Sequence, residues 1–268
     1  MKKLAKNFLT ALLVFALTAS LVSAVSAASS DKAKEIIEKT VEKYSDMIKK
    51  DGKDMKSFAA KISIKGGGQV PMGQGGGMPL SVDAAIEIYV AKPHNMYLEI
   101  SGNLGNAIVV VGGDEKVTAT IMLTGTKQFA TMDVPDNAIK EFQKEEETAT
   151  VEPGRMEDFY KSVILSYEGT ENVKAGKAHK IVIDPQDSAE KASITVYILD
   201  GKWDPVKFVI ASEEANAIIE FDRMEVNAKI PASRFVPNTA GYAQISEKDL
   251  TTALMMQVMA AMMQQAQQ

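Results

Sequence analysis

Ile86-Glu87-Ile88-Tyr89-Val90-Ala91-Lys92-Pro93-His94-Asn95-Met96-Tyr97-Leu98-Glu99-Ile100 is the stretch that decides the fold. Ile86, Ile88 and Val90 alternate with Glu87, Tyr89 and Ala91; after a turn at Lys92-Pro93, Met96, Leu98 and Ile100 alternate with Tyr97 and Glu99. Successive strand side chains point to opposite faces, so this period of two reads as strands with one apolar face. Working outward, Phe58, Ala60, Ile62 and Ile64 alternate with Ala59, Lys61, Ser63 and Lys65. Further strands are expected near 107–111, 115–123 and 127–133, punctuated by Gly102, Gly105 and Gly112-Gly113-Asp114. The second half repeats the pattern at 163–173, 177–184, 191–200, 205–213 and 216–227. There Ile194, Val196 and Ile198 alternate with polar neighbours, as do Val206, Phe208 and Ile210. Asp200-Gly201-Lys202 reads as a hairpin turn.

Helical spacing interrupts the strands. Ile36, Ile37, Val41, Tyr44 and Ile48 recur on one face of residues 31–50, with Ser30 or Asp31 as cap and Asp51-Gly52 as stop. Residues 136–147 and 153–162 are two further helix candidates, the second with Pro153 in its first turn. Short antiparallel strands with helices at the start and middle predict an α+β fold, one curved sheet with helices over one face.

Two segments break the plan. Residues 66–77, with seven glycines, read as a flexible loop too poor in side chains to pack, and mobility is expected over 66–79. The tail from Ser246 reads as a helix capped by that serine. Leu250, Leu254, Val258 and Met255, Met256, Met259, Met262 and Met263 leave it apolar around most of its circumference. Such a helix needs something to bury against: a cavity mouth, a membrane partner or an ordinary core.

Lys2, Lys3 and Lys6 precede an apolar run from Phe8 to Val22 and the small residues Ser23 to Ala28. This order reads as a secretory signal peptide over residues 1–27, followed by a domain over 28–245 and a Met-rich helix over 246–268. The expected location is therefore the periplasm or cell envelope. The chain has no cysteine, which excludes lipid modification at cysteine, disulfides and thiol chemistry. The formal charge is −5, and loss of the signal removes three lysines and no acid. An acidic chain with one tryptophan is a poor nucleic-acid binder.

Catalytic tools are scarce. His94 and His179 are the only histidines, stand in no metal-ligand or triad spacing, and read as exposed polar residues. The glycine run carries no Gly-Lys-Ser/Thr, so it is not a phosphate loop. Glu145-Glu146-Glu147 reads as a solvated charge run. Methionine thioethers can bind copper(I), but regular spacing with a nearby histidine or cysteine is absent, which favours adaptable apolar packing. No cofactor, metal or catalytic residue is assigned. A carboxylate pair assembled by folding is left open.

Four stretches carry a family resemblance: Ser57-Phe58-Ala59-Ala60-Lys61-Ile62 after the first helix; Val90 to Glu99; Val109-Val110-Val111-Gly112-Gly113-Asp114-Glu115-Lys116-Val117; and Asn227 with Ile230-Pro231-Ala232-Ser233-Arg234-Phe235-Val236-Pro237 and Gly241-Tyr242. In this order they resemble the LolA/LolB-like lipoprotein carrier family of bacterial envelopes, over roughly residues 31–245. The resemblance implies an incomplete antiparallel β-barrel with helices as a lid over an apolar cavity. It implies acyl chains of a lipoprotein or lipid as cargo, and membrane-bound donor and acceptor proteins as partners. Lys92 stands where the family has a lid-holding arginine, which makes it the latch candidate; lysine keeps the charge but not the planar five-donor fork. Alternation nominates Ile62, Ile64, Ile86, Ile88, Val90, Met96, Leu98, Ile194, Val196 and Phe208 as the cavity wall. Periodicity does not separate a lined cavity from a filled core. A lipid-sensing module and, less so, a hydrolase stand as alternative functions.

Overall fold

The computed structural model describes residues 29–51, 56–71, 77–113, 116–135, 153–186, 192–213 and 215–265. The signal peptide expected over residues 1–27 and the helix expected over 136–147 lie outside them. Twelve strands form one curved, unclosed sheet. The strands are β1 (Ser57–Pro71), β2 (Gly77–Ala91), β3 (Asn95–Gly102), β4 (Ala107–Gly112), β5 (Thr118–Leu123), β6 (Gln128–Asp133), β7 (Val163–Val173), β8 (Gly176–Pro185), β9 (Ser193–Leu199), β10 (Pro205–Ala211), β11 (Ala215–Val226) and β12 (Ala243–Gln244). Their spatial order is β12-β6-β5-β4-β3-β2-β1-β11-β10-β9-β8-β7. Consecutive strands pair antiparallel as meanders on either side of the β1–β11 junction. The short β12 adds one parallel pair to β6, which makes the sheet mixed.

The junction closes the chain's two halves on each other. Phe58 lies opposite Val226 and Ile64 opposite Ile219, with a register shift between Lys61 and Ile62. Asn227 ends β11 in the left-handed region, at φ 55°. Its side-chain oxygen accepts the Lys56 N–H at 2.7 Å and its own N–H donates to Ser57 O at 2.8 Å. Asparagine tolerates that backbone and supplies the acceptor, which accounts for its place at this corner.

Helix α1 (Asp31–Asp51) covers the second half of the sheet. Ala33, Ile36 and Ile37 join Phe159 of helix α2 (Pro153–Ser162) and Val163, Leu165, Ile181 and Ile183 of β7 and β8 in one core. Ile36, Leu165 and Ile181 are fully buried, each contributing about 1.5–3 kcal/mol. The helix is stitched down at its start and again past its middle. Ser30 N–H donates to Leu165 O at 2.8 Å, which occupies an acceptor on the edge strand β7. Lys43 and Tyr44 both donate to Asp204 Oδ1, at 2.5 and 2.7 Å, in the β9–β10 connection.

Over its described parts the glycine-rich segment corrects the expectation of a loop; residues 72–76 of that expected loop lie outside the described residues. Residues 66–71 continue β1 and residues 77–79 begin β2; the register runs unbroken from Gly66 opposite Val82 to Pro71 opposite Gly77. Backbone ladder bonds need no side chain, so glycine weakens a strand without forbidding it. At Gly66 the missing side chain is required: a Cβ would stand 2.5 Å from Asn216 O on β11.

His179 is a second correction, because it is buried, at 7% exposure. Its ring stacks on Trp203 with centroids 5.9 Å apart, Nδ1 lies 3.2 Å from Tyr167 Oη, and Nε2 lies 3.2 Å from Asp200. Position 179 reads as a strand head in sequence; the indole that covers it arrives from the β9–β10 connection.

The tail is helix α3 (Glu247–Gln265), capped by Ser246, whose Oγ accepts the Asp249 N–H. Leu250 is buried with Leu123 and Ala130. The helix then runs along the strand ends, where it borders the turns at 102–106 and 125–126. Gln265 Oε1 accepts Ser81 N–H at 2.8 Å, beyond the point where β3 stops pairing with β2. Met255, Met256, Met259 and Met263 stay 61–65% exposed, so the apolar circumference is not wholly buried. Among the described residues, no helix is long and apolar enough to cross a membrane.

Candidate functional site

The register places all ten nominated wall residues on one face of the sheet. Leu98 lies opposite Ile88, Ile88 opposite Ala60, and Ala60 opposite Met224. A longer row runs Ile64, Ile219, Phe208, Val196 and Ile181 across five strands. Met96 pairs with Val90, Ile62 with Ile86, and Ile194 stands opposite Ile183 and Ile210.

That face divides into two apolar clusters. Ile62, Ile88, Val90 and Met96 are buried in the first, with Ile64, Ile86 and Leu98 partly buried against them. Ile194, Val196 and Phe208 belong to the second, with α1 and α2. These three therefore line a helix-packed core, whereas among the described residues no helix side chain joins the first cluster. Ile219 and Phe221 of β11 bridge the two. Sequence reading left both out of the wall, although their alternation with Glu220 and Asp222 carries the same signal.

Charge is segregated from this face. Lys61 pairs with Glu87 at 3.1 Å and Lys65 with Asp83 at 3.7 Å, all four on the opposite face of β1 and β2. Glu87 holds the Lys61 ammonium above its ordinary value by hydrogen bond and charge. An apolar face free of ions suits a hydrocarbon and offers no proton donor or nucleophile to it. Among the described residues no group of three histidines, aspartates or glutamates is placed to hold a metal ion. Lys92 opens the β2–β3 turn, half-buried, and its N–H donates to Lys56 O at 2.9 Å.

The architecture is an unclosed, curved sheet with helices packed on one face. No family model matches the chain, and no curated protein sequence matches it. Solved structures do resemble it. LprF from Mycobacterium bovis is 14% identical with a TM-score of 0.39, over 80% of this chain and 99% of that one. MucB is 11% identical with a TM-score of 0.37, over 78% of this chain and 64% of that one. A domain described as an outer membrane lipoprotein-sorting protein from Vibrio parahaemolyticus is 7% identical with a TM-score of 0.27, over 77% of this chain and 97% of that one. At such identities and scores the likeness transfers neither family nor ligand.

Proposed function

We propose that the protein binds acyl chains of a lipoprotein or lipid against this apolar face and carries them through the cell envelope, without catalysing a reaction. The observation that supports it is the first cluster: a continuous, ion-free wall on β1–β4 to which, among the described residues, no helix side chain is added. Transfer of hydrocarbon from water gains about 0.8 kcal/mol per methylene. A wall formed by alternate residues of several strands therefore suffices for a chain of ordinary length. Lys92, at the end of that wall, is the candidate to hold a lid. Donor and acceptor proteins at membranes are the partners that such a carrier requires.

Native mass spectrometry after gentle purification tests the reading, with co-purified acyl lipid expected. Ile88→Glu places a carboxylate in the wall and is expected to abolish binding of a fluorescent, uncharged acyl lipid while the protein still folds. Normal binding by a folded Ile88→Glu protein overturns the assignment. A sensor that uses the same fold would bind lipid equally well; transfer between donor and acceptor vesicles, expected here, separates it from a carrier.

A further inference from the structure

A cavity lies on the other face of the sheet. It has a volume of about 710 Å³, within the range of small-molecule sites. Its floor is the outward row of β2–β5, with Tyr89, Tyr97, Ile108, Val110 and Met122. Its roof is the chain after β11, residues 229–242, which crosses back over the sheet. Arg234 pins that roof: its guanidinium stands 4.6 Å from the Tyr89 ring centroid and 4.8 Å from that of Tyr97. The roof is anchored again where Ala243 N–H donates to Lys127 O at 2.8 Å.

The lining is apolar below and cationic at the sides. Lys127, Arg223, Lys229 and Arg234 line the cavity, and among the described residues no carboxylate does. Arg223 is paired with Glu225, and Arg234 has Glu87 at 4.0 Å. Glu99 accepts the Tyr97 hydroxyl at 2.6 Å. Lys127 stacks on Tyr242 at 4.8 Å, and among the described residues neither Lys127 nor Lys229 has an acid partner. Unpaired positive charge thus faces the cavity on a chain whose overall balance is acidic. Val236 lines the same cavity and is 67% exposed, an apolar side chain that a bound body would cover.

We propose that this cavity is a binding site for a small amphipathic anion: one phosphate or carboxylate held by Lys127 and Lys229, with an apolar body over the tyrosine floor. It is separate from the acyl face, since the sheet stands between them. Cations at the sides select the charge, and the floor and Val236 reward the hydrocarbon. Neither half alone gives both.

Calorimetry on the full mature chain tests it with three probes: octyl phosphate, octanol and inorganic phosphate. Octyl phosphate is expected to bind, and the other two at least tenfold more weakly. Lys127→Glu with Lys229→Glu is expected to weaken octyl phosphate by about tenfold or more, whereas Lys127→Arg with Lys229→Arg retains it. Ile88→Glu, which breaks the acyl face, is expected to leave octyl phosphate unaffected, so the two sites fail independently. Octyl phosphate binding that survives the double charge reversal, or that is lost in Ile88→Glu, overturns the proposal. So does inorganic phosphate binding as tightly as octyl phosphate, which would leave only a nonspecific anion patch.

Discussion

Gly105 illustrates how much one residue can decide. It holds φ at 123°, a region that L side chains rarely adopt, and a Cβ there would overlap Gln257 Nε2 of α3. Gly105→Ala is therefore expected to lower stability by about 1–3 kcal/mol, through backbone strain and a displaced helix. Adding Gln257→Ala removes the overlap and leaves the strain, so thermal melts of the single and double variants apportion the two. No recovery in the double variant would mean that the helix contact contributes nothing. Gly66 and Gly102 work differently. Neither needs a positive φ; each lets a neighbouring strand approach, Gly66 beside Asn216 O and Gly102 beside Asp83 O. A turn glycine and a close-approach glycine look alike in sequence, because the crowding atom belongs to another strand.

Among the elements, α3 departs furthest from expectation. A helix apolar nearly all round is expected to bury itself against a cavity mouth, a membrane partner or a core; against this chain only Leu250 is buried, and four methionines face solvent. Its attachment is correspondingly local. Leu250→Ala is expected to cost about 2–4 kcal/mol by opening a cavity against Leu123 and Ala130, whereas Met259→Ala is expected to stay within about 0.5 kcal/mol. Urea midpoints of the two variants check this; equal losses would mean that the methionine face is packed in solution. The β1–β2 hairpin makes the complementary point. Its glycines read as a loop by composition, but two extended segments in register satisfy their own backbone donors and acceptors whatever the side chains.

The whole molecule carries a signature of alkaline weakening. Tyr44 and Tyr97 have hydroxyls pushed above their ordinary value of 10.0, chiefly by burial and further by Asp204 and Glu99. Their neutral forms are favoured in the folded state. This contribution is complete below the unfolded value of about 10 and is lost as pH rises above it toward the higher folded values. The urea midpoint is expected to be flat between about pH 8 and 9.5 and to fall beyond pH 10. Tyr44→Phe, which cannot ionise, is expected to flatten that fall; an unchanged slope would sink the account. Tyr44 matters at this scale because its bond to Asp204 ties α1 to the β9–β10 connection, and with it the helix-covered half of the sheet.

Local periodicity did not identify β12 or the glycine-rich ends of β1 and β2, but it identified most of the strands, and the apolar parity of β1, β2, β3, β9 and β10, since a side chain's face follows from its position in the strand. It likewise identified α1 by its 3.6-residue spacing, α2 by Pro153 and the Ser246 cap of α3, all local signals. Only the tertiary structure decided which strands are neighbours, because pairing of β1 with β11 joins residues about 160 apart through backbone bonds that carry no side-chain code. The same pairing decided that Ile194, Val196 and Phe208 lie under helices while Ile62, Ile88 and Met96 join a cluster without them. It also carried the roof of residues 229–242 over the tyrosine floor. Alternation specifies that a side chain is buried, and burial by a helix, a strand or a bound chain presents the same apolar residue to sequence reading.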